Sequence, residues 1–424
     1  MTHATAMVVG TIIGASIFVQ PSEITKQMPS VTGIILVWIA AGVLTLFGAL
    51  VCAELASAFP QTGGVYVFLR EAWSRPVGFL WGWAMFWVMH SGIIAAIATI
   101  FARYTAHFVP LDATGLRMVA VGVIVVLSAV NYLGVRHGGL VQNVFTAAKV
   151  AAIAGIVAVG ALWSGQAASA AVTDATVSAN GFILAIAAGL FAYGGWHMVT
   201  YTAGETKEPE RVIPRALFLG TLIVTACYAG LNAIYLKVLP LDVVRASGRV
   251  AADAADVLLG GGGASLMAAL VMISTFGAVN GIILVGPRVY YQMARDGTLF
   301  GWAGAVHPQF DTPHRAIAIQ AVWASVLAAT NTYGDLFRRV IYTEWIFFAA
   351  MAAGLMLLRR RADYRPLYRV WGYPVVPLIF IVASLVIVAM QIRDKPWDSA
   401  VGLGMVLVGL PVYFLWSRPR ATTS

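Results

Sequence analysis

Charged side chains are scarce in this chain: they make up 11% of its 424 residues, where an ordinary soluble domain has about 25%. With 60% hydrophobic residues beside them, a soluble arrangement of two or three domains is excluded. Cysteine is nearly missing. Cys52 and Cys227 both fall inside apolar runs, so they read as small packing residues and imply no disulfide framework. Those two and the seven histidines form no ligand-spaced cluster, and no catalytic dyad or nucleophile elbow stands in any loop. Neither a metal, a cofactor nor an enzymatic activity is expected. An Asn-x-Ser/Thr acceptor is absent as well, in agreement with a bacterial source. No basic n-region with a small-residue cleavage site accompanies the first apolar run, which is therefore expected to be mature structure. The net charge of +9 is not a nucleic-acid signal, because the basic residues stand at the ends of apolar runs, where membrane topology and anionic lipid account for them.

What the chain has in abundance is apolar length. Crossing a hydrocarbon core of ~30 Å takes roughly 20 residues per helix. Twelve runs are counted, at 4–28, 33–59, 77–105, 117–133, 141–163, 181–202, 213–237, 264–292, 315–331, 337–358, 373–390 and 399–416. The expected fold class is an all-α, multi-pass membrane protein. With twelve spans both termini share a side, and the loops of that side carry 15 of the 27 basic residues, Arg70, Arg136, Lys207 and Arg359 among them. The opposite side carries 10, and Lys149 and Arg288 lie inside spans. That bias puts the termini in the cytoplasm. Loops are short except 60–76, 203–214, 238–263 and 293–314, and none can hold a separate domain. The charged stretch GETKEPERVIP (204–214) reads as a solvated loop that runs into a helix with proline in its first turn.

Two spans contain an interruption. GTIIGASIF (10–18) sets Gly14, Ala15 and Ser16 in a row midway along the first, and FAYGGWH (191–197) sets two glycines near the middle of the sixth. Discontinuous helices at corresponding positions of two inverted repeats are the best sequence pointer to a transporter's central site. The working architecture is a first repeat over 1–163, a second over 181–358, and two appended spans over 373–416. A break at mid-membrane exposes backbone groups that cost several kcal/mol each unless protein, water or ligand satisfies them. An amino acid offers the complement, its carboxylate for free amides and its ammonium for free carbonyls. For a single glycine-rich stretch, close helix packing through small residues is the competing reading.

GTIIGASIF, followed by CAELASAFPQTGGVYVF from Cys52, resembles the opening of the amino acid-polyamine-organocation transporter superfamily, which has the leucine-transporter fold. FAYGGW with the 205–214 loop is similar to its L-amino acid transporter branch, the light chains of heteromeric transporters and their bacterial relatives. STFGAVNG (274–281), ARDGTLF (294–300) and HPQFDTP (307–313) extend the resemblance in order along the chain. It implies that the substrate carboxylate meets backbone amides around Ala15, Ser16 and Ile17, beside Ile12 and Gly14. The amino group would meet carbonyls around Phe191, Ala192 and Gly194, with Phe191 covering the site as an aromatic gate. The family more often has Gly-Ser-Gly or Gly-Ala-Gly at 14–16, so Ser16 either narrows the carboxylate site or adds a donor.

Ionisable residues inside a membrane are functional hypotheses by default. Lys149, in span 5, either snorkels to the interface or, as the resemblance implies, replaces the sodium of coupled relatives by bridging spans 1 and 8, with Ser274 and Thr275 as partners. Glu344, in span 10, could carry a proton, hold a gate or pair with a basic substrate; alternatively Tyr342, Thr343, Arg338 or Arg339 hold it. The resemblance places Trp345 near the substrate side chain. His197 would make transport pH-sensitive if it faced the site, or else is a packed ring. Ser91 in span 3 could line the side-chain pocket or serve helix packing, and Glu54 in span 2 reads as an anchor at the cytoplasmic end. Light chains carry a cysteine between spans 3 and 4 for a heavy-chain partner; residues 105–116 hold none, so no disulfide-linked heavy chain is expected. The reading is a sodium-independent exchanger of neutral L-amino acids in a bacterial inner membrane. A cationic amino acid or polyamine transporter is the rival within the class, and a channel or amino-acid sensor on the same fold the rival outside it.

Overall fold

Helices follow the apolar runs closely, and where they depart from them the backbone is broken. A computed structural model describes residues 1–14, 16–134, 138–165 and 178–416, the side chains of 138–145 excepted. The first run forms α1 (Thr2–Ile12), a 3-10 turn (Ser16–Phe18) and α2 (Gln20–Gln27), because at Ile13 ψ swings to 77° and the helical ladder ends. After it come α3 (Val31–Ala58) and the short α4 (Val65–Ala72). Next, α5 (Arg75–Ala84) passes through a π-helical turn at Met85–Met89 into α6 (His90–Thr105). Then follow α7 (Ala113–Tyr132) and α8 (Gly138–Leu162). The sixth run begins as α9 (Ala179–Ala192), turns at Gly194 and Gly195, and resumes as a 3-10 helix over Trp196–Glu205.

Beyond it, α10 (Pro209–Val238) starts four residues before the apolar run at 213, so Pro209 opens its first turn and Pro214, at the expected start, lies inside the helix. The 238–263 connection, read from the sequence as a loop, contains α11 (Leu241–Ala246) and α12 (Val250–Leu259). Both are too short to span and so left no apolar run, yet α12 buries Val250, Ala251, Ala254 and Ala255 against its neighbours. The remainder is α13 (Gly263–Arg295), α14 (His314–Thr330), α15 (Tyr333–Leu358), α16 (Val375–Asp394), α17 (Pro396–Leu407) and α18 (Gly409–Trp416). Side-chain caps fix several starts: Ser30, Asp112 and Ser178 each accept from an amide three residues on, and Thr332 with Asp335 forms a capping box.

Nine helical stretches among the described residues are long and apolar enough to cross a membrane. The other three expected spans fall on broken α1 and α2, on α8 and on the 17-residue α14. Packing brings the breaks together. The second half of the sixth run and α10 both lie against α1, while α2 lies against α9. The Gln20 amide donates to the Ala188 carbonyl at 2.9 Å, tying α2 to α9.

Two polar networks close one end of this core. Glu54, fully buried on α3, accepts from Arg359 Nε at 2.8 Å and from the Val370 amide at 2.7 Å, with Arg359 Nη2 and the Tyr364 hydroxyl completing its shell. This bears out the reading of Glu54 as an anchor. Burial works against the Arg359 charge, but the bond to Glu54 and its negative charge outweigh that and hold the guanidinium above its ordinary range. In the second network Arg70 on α4 pairs with Asp296, and Asp296 accepts from the Tyr66 hydroxyl at 2.8 Å and from Gln292 Nε2 at 3.0 Å. The aspartate of ARDGTLF thus holds α4 to the end of α13. In the charged 204–214 stretch, Glu205 is paired with Arg288 of α13 at 2.8 Å, which accounts for that intramembrane arginine.

Candidate functional site

A cavity of about 380 Å3 lies between the two breaks, lined by Thr11, Ile12, Gly14 and Ser16 on one side and Phe191, Ala192, Gly194 and Gly195 on the other. Its remaining wall is Ile93 and Ile97 from α6, Met198, Ile282 from α13 and Glu344 from α15. Glycine is required at one point of this lining. Gly195 has φ +100°, and a Cβ there would meet the Thr11 carbonyl oxygen at 2.7 Å. Gly14 is different: a Cβ would find Ala278 at an ordinary 3.7 Å.

The backbone groups freed by the breaks have specific partners. Tyr228 on α10 directs its hydroxyl at two carbonyls, Ile12 at 2.9 Å and Ala192 at 3.0 Å, one from each break. Thr11 Oγ1 lies 3.1 Å from the Gly195 carbonyl, its proton shared with carbonyls of its own helix. The Phe191 carbonyl accepts from the Gly194 amide at 3.1 Å. At the first break the 3-10 turn begins with Ser16 and Ile17, where a helix's leading amides have no acceptor of their own. Ala15 lies outside the described residues.

Lys149 is buried and reaches the first break from α8, its Nζ 3.1 Å from the Ile13 carbonyl and 3.5 Å from that of Gly10. Snorkelling is thereby excluded. Its expected partners on α13 are not bonded to it: Thr275 Oγ1 donates to the Met272 carbonyl of its own helix, and Ser274 Oγ has no partner among the described residues.

Among the remaining sequence candidates, Phe191 lines the cavity and leans on Tyr333 and Phe337 of α15, with ring centroids 6.1 and 5.5 Å away. Glu344 also lines it. None of the groups offered to hold this carboxylate does so: Tyr342 donates to the Asp398 carbonyl, Thr343 to that of Arg339, Arg338 reaches Asp335, and Arg339 reaches Asn331. Glu344 is 3% exposed, and its Oε1 has no hydrogen-bond partner among the described residues.

Four candidates lie away from the cavity wall. Trp345 packs against Phe348 and Phe380, because consecutive helical residues diverge by about 100° and Glu344 takes the cavity side. Ser91 is buried beneath α6 on the face opposite Ile93 and Ile97, its hydroxyl unpartnered. His197 is sealed among Trp81, Trp196, Tyr201 and Phe348 at centroid distances of 5.0–5.8 Å, while the next residue, Met198, lines the site. The Ile17 side chain is fully buried, while the backbone amide on which its expected role rests stays at the start of the 3-10 turn. Sequence reasoning missed Tyr228, whose hydroxyl does not stand out in a span that also holds Thr221, Thr225, Asn232 and Tyr235, and the three isoleucines, which carry no signal at all.

Residues 1–412 match the family model described as amino acid permease. The chain belongs to the amino acid permease family. Curated relatives place this permease in the L-amino acid transporter branch of the amino acid-polyamine-organocation superfamily. It is similar to the serine/threonine exchanger SteT of Bacillus subtilis (strain 168), 31% identical over 426 residues that cover 100% of this chain and 97% of the relative. It is 31% identical over 430 residues to the human large neutral amino acids transporter small subunit 2, covering 98% and 79%. The human b(0,+)-type amino acid transporter 1 is 30% identical over 423 residues, covering 97% and 86%. The permease is therefore a multi-pass membrane protein that transports amino acids, and not an enzyme.

Proposed function

We propose that this permease exchanges neutral L-amino acids across a bacterial inner membrane without sodium, by alternating access around the cavity between its two breaks. The observation that carries the reading is Tyr228, whose one hydroxyl is shared between the Ile12 and Ala192 carbonyls, so that both breaks are held as a single unit. Around that unit, the amides at the start of the 3-10 turn suit a carboxylate, and the carbonyl side of the α9 break suits an ammonium. These groups read what every amino acid shares. Phe191, on the cavity wall, is the gate in this reading.

Lys149 supports the sodium independence. Its ammonium occupies carbonyls of the first break, and a metal cation drawn to the same oxygens would meet a fixed positive charge. The proposed architecture has twelve spans, two inverted five-helix repeats over 1–163 and 181–358 with 373–416 appended, and cytoplasmic termini. No covalent heavy chain is part of it.

The test is uptake of labelled alanine into proteoliposomes at fixed pH without sodium, with and without unlabelled amino acid inside. Strong acceleration by internal substrate is expected, with alanine and leucine competing from outside. Uptake that arginine alone inhibits would end the neutral reading, and a requirement for a sodium gradient would end the sodium-independent one.

A further inference from the structure

The backbone groups at the breaks cannot tell one amino acid from another, so selectivity resides in the rest of the lining. Ile93, Ile97, Ile282, Met198 and Phe191 present only carbon or sulfur, and the Thr11 hydroxyl is already directed at backbone carbonyls. Ser16 carries a hydroxyl at the start of the 3-10 turn, the carboxylate end of the site, and Glu344 is the one ionisable side chain among the described lining residues. It stands in an apolar wall, almost wholly buried, with one carboxyl oxygen that nothing in the described protein satisfies. A buried acceptor without a donor is costly, and native structures keep such groups where a ligand or water completes them.

Resting on the exchange reading above, we propose that Glu344 determines specificity by accepting a hydrogen bond from the substrate's side chain, which makes the substrate class neutral amino acids bearing a hydroxyl or amide. The lining supports the neutral choice: apart from Glu344, that wall offers a side-chain ammonium only Ile93, Ile97, Ile282 and Met198, with no further group to solvate it, whereas a hydroxyl or amide needs the single acceptor.

Threonine and valine are isosteric apart from the hydroxyl, so their ratio isolates the proposed bond. A site built to bond a hydroxyl rejects the analogue lacking it, because its own polar group then stays unpaired. Counterflow into proteoliposomes loaded with alanine should favour threonine over valine by about tenfold for the unmodified protein. Glu344→Gln, whose amide oxygen still accepts, should keep most of that preference; Glu344→Ala should bring the ratio close to one. Measuring both substrates in the same vesicle batch cancels any loss of folded protein, and Glu344→Leu serves if the alanine variant does not fold. A ratio near one in the unmodified protein, or a ratio unmoved by Glu344→Ala, overturns the proposal. So does preferential counterflow of ornithine or lysine that Glu344→Gln removes, since the carboxylate would then be a cation's partner. If no amino acid exchanges at all, the transport reading fails by itself. Thermal stabilisation of the detergent-purified protein by threonine over valine still decides the role of Glu344.

Discussion

Glu54 and Glu344 are both carboxylates sealed inside long apolar helices, and they differ in everything around them. Glu54 has an arginine, a backbone amide and a tyrosine hydroxyl arranged about its two oxygens. Glu344 has isoleucines near it and an oxygen with no donor. The first arrangement is complete and joins α3 to the end of α15 and the chain that follows. The second is incomplete and faces the space between the breaks. A buried polar group that the protein satisfies serves the fold; one that the protein leaves open serves whatever enters.

The same substitution at both positions should therefore give opposite results, and the larger belongs to the anchor. In Glu54→Gln the amide cannot balance the Arg359 guanidinium, whose side chain is only 15% exposed. Breaking a buried ion pair by removing one partner costs about 3–5 kcal/mol. A sharp drop in the unfolding temperature and in the monodisperse fraction on size exclusion is expected. A variant as stable as the parent would mean that the Glu54 shell contributes nothing.

Next in size is the geometry of the open site. Gly195→Ala places a methyl 2.7 Å from the Thr11 carbonyl at a φ that L-residues avoid, so it should lower exchange at least tenfold. Gly14→Ala, with free space at 3.7 Å, should retain most activity. Equal losses from the two changes would separate the breaks from the site. Tyr228→Phe comes third. It strips the shared donor from the Ile12 and Ala192 carbonyls while keeping the ring packed between Trp38 and Tyr193. Unpaired carbonyls cost about 1–3 kcal/mol. Exchange should fall about tenfold with little loss of protein yield, read by initial rates normalised to reconstituted protein.

How much of this contrast was legible in the sequence depends on what kind of signal each residue leaves. The breaks were legible because small residues inside a span are chemically conspicuous: 10–18 and 191–197 coincide with the ends of α1 and α9. Glu344, Glu54 and Lys149 were legible as ionisable groups in apolar runs. What could not be read was direction. The resemblance puts Trp345 near the substrate side chain, and Ser91 reads either as a small pocket residue or as helix packing, yet the helix turns them about 100° from Glu344 and 200° from Ile93. Of the two readings of His197 the packed ring is the one the structure has, and Met198 is the neighbour that lines the cavity. The 3-10 geometry of 196–205 sets that facing, and composition does not announce it. Tyr228 was missed because its meaning lies in two carbonyls 216 and 36 residues away in the chain.

The smallest expected effect is the one that sharpens the contrast most. Glu344→Gln removes a carboxylate whose Oε1 takes part in no bond within the described protein, so the fold has little to lose. Exchanging this group for an amide of the same shape breaks no bond of that oxygen to the described protein and removes the cost of holding a carboxylate in an apolar wall. The unfolding temperature should stay within a degree or two of the parent or rise, in the same experiment in which Glu54→Gln falls steeply. Were both variants destabilised alike, Glu344 would have a protein partner after all, and the open oxygen would be structural. Equal stability in Glu344→Gln, together with a threonine preference that Glu344→Ala abolishes, instead assigns the two carboxylates to different tasks: one closes the helices, the other chooses what passes between them.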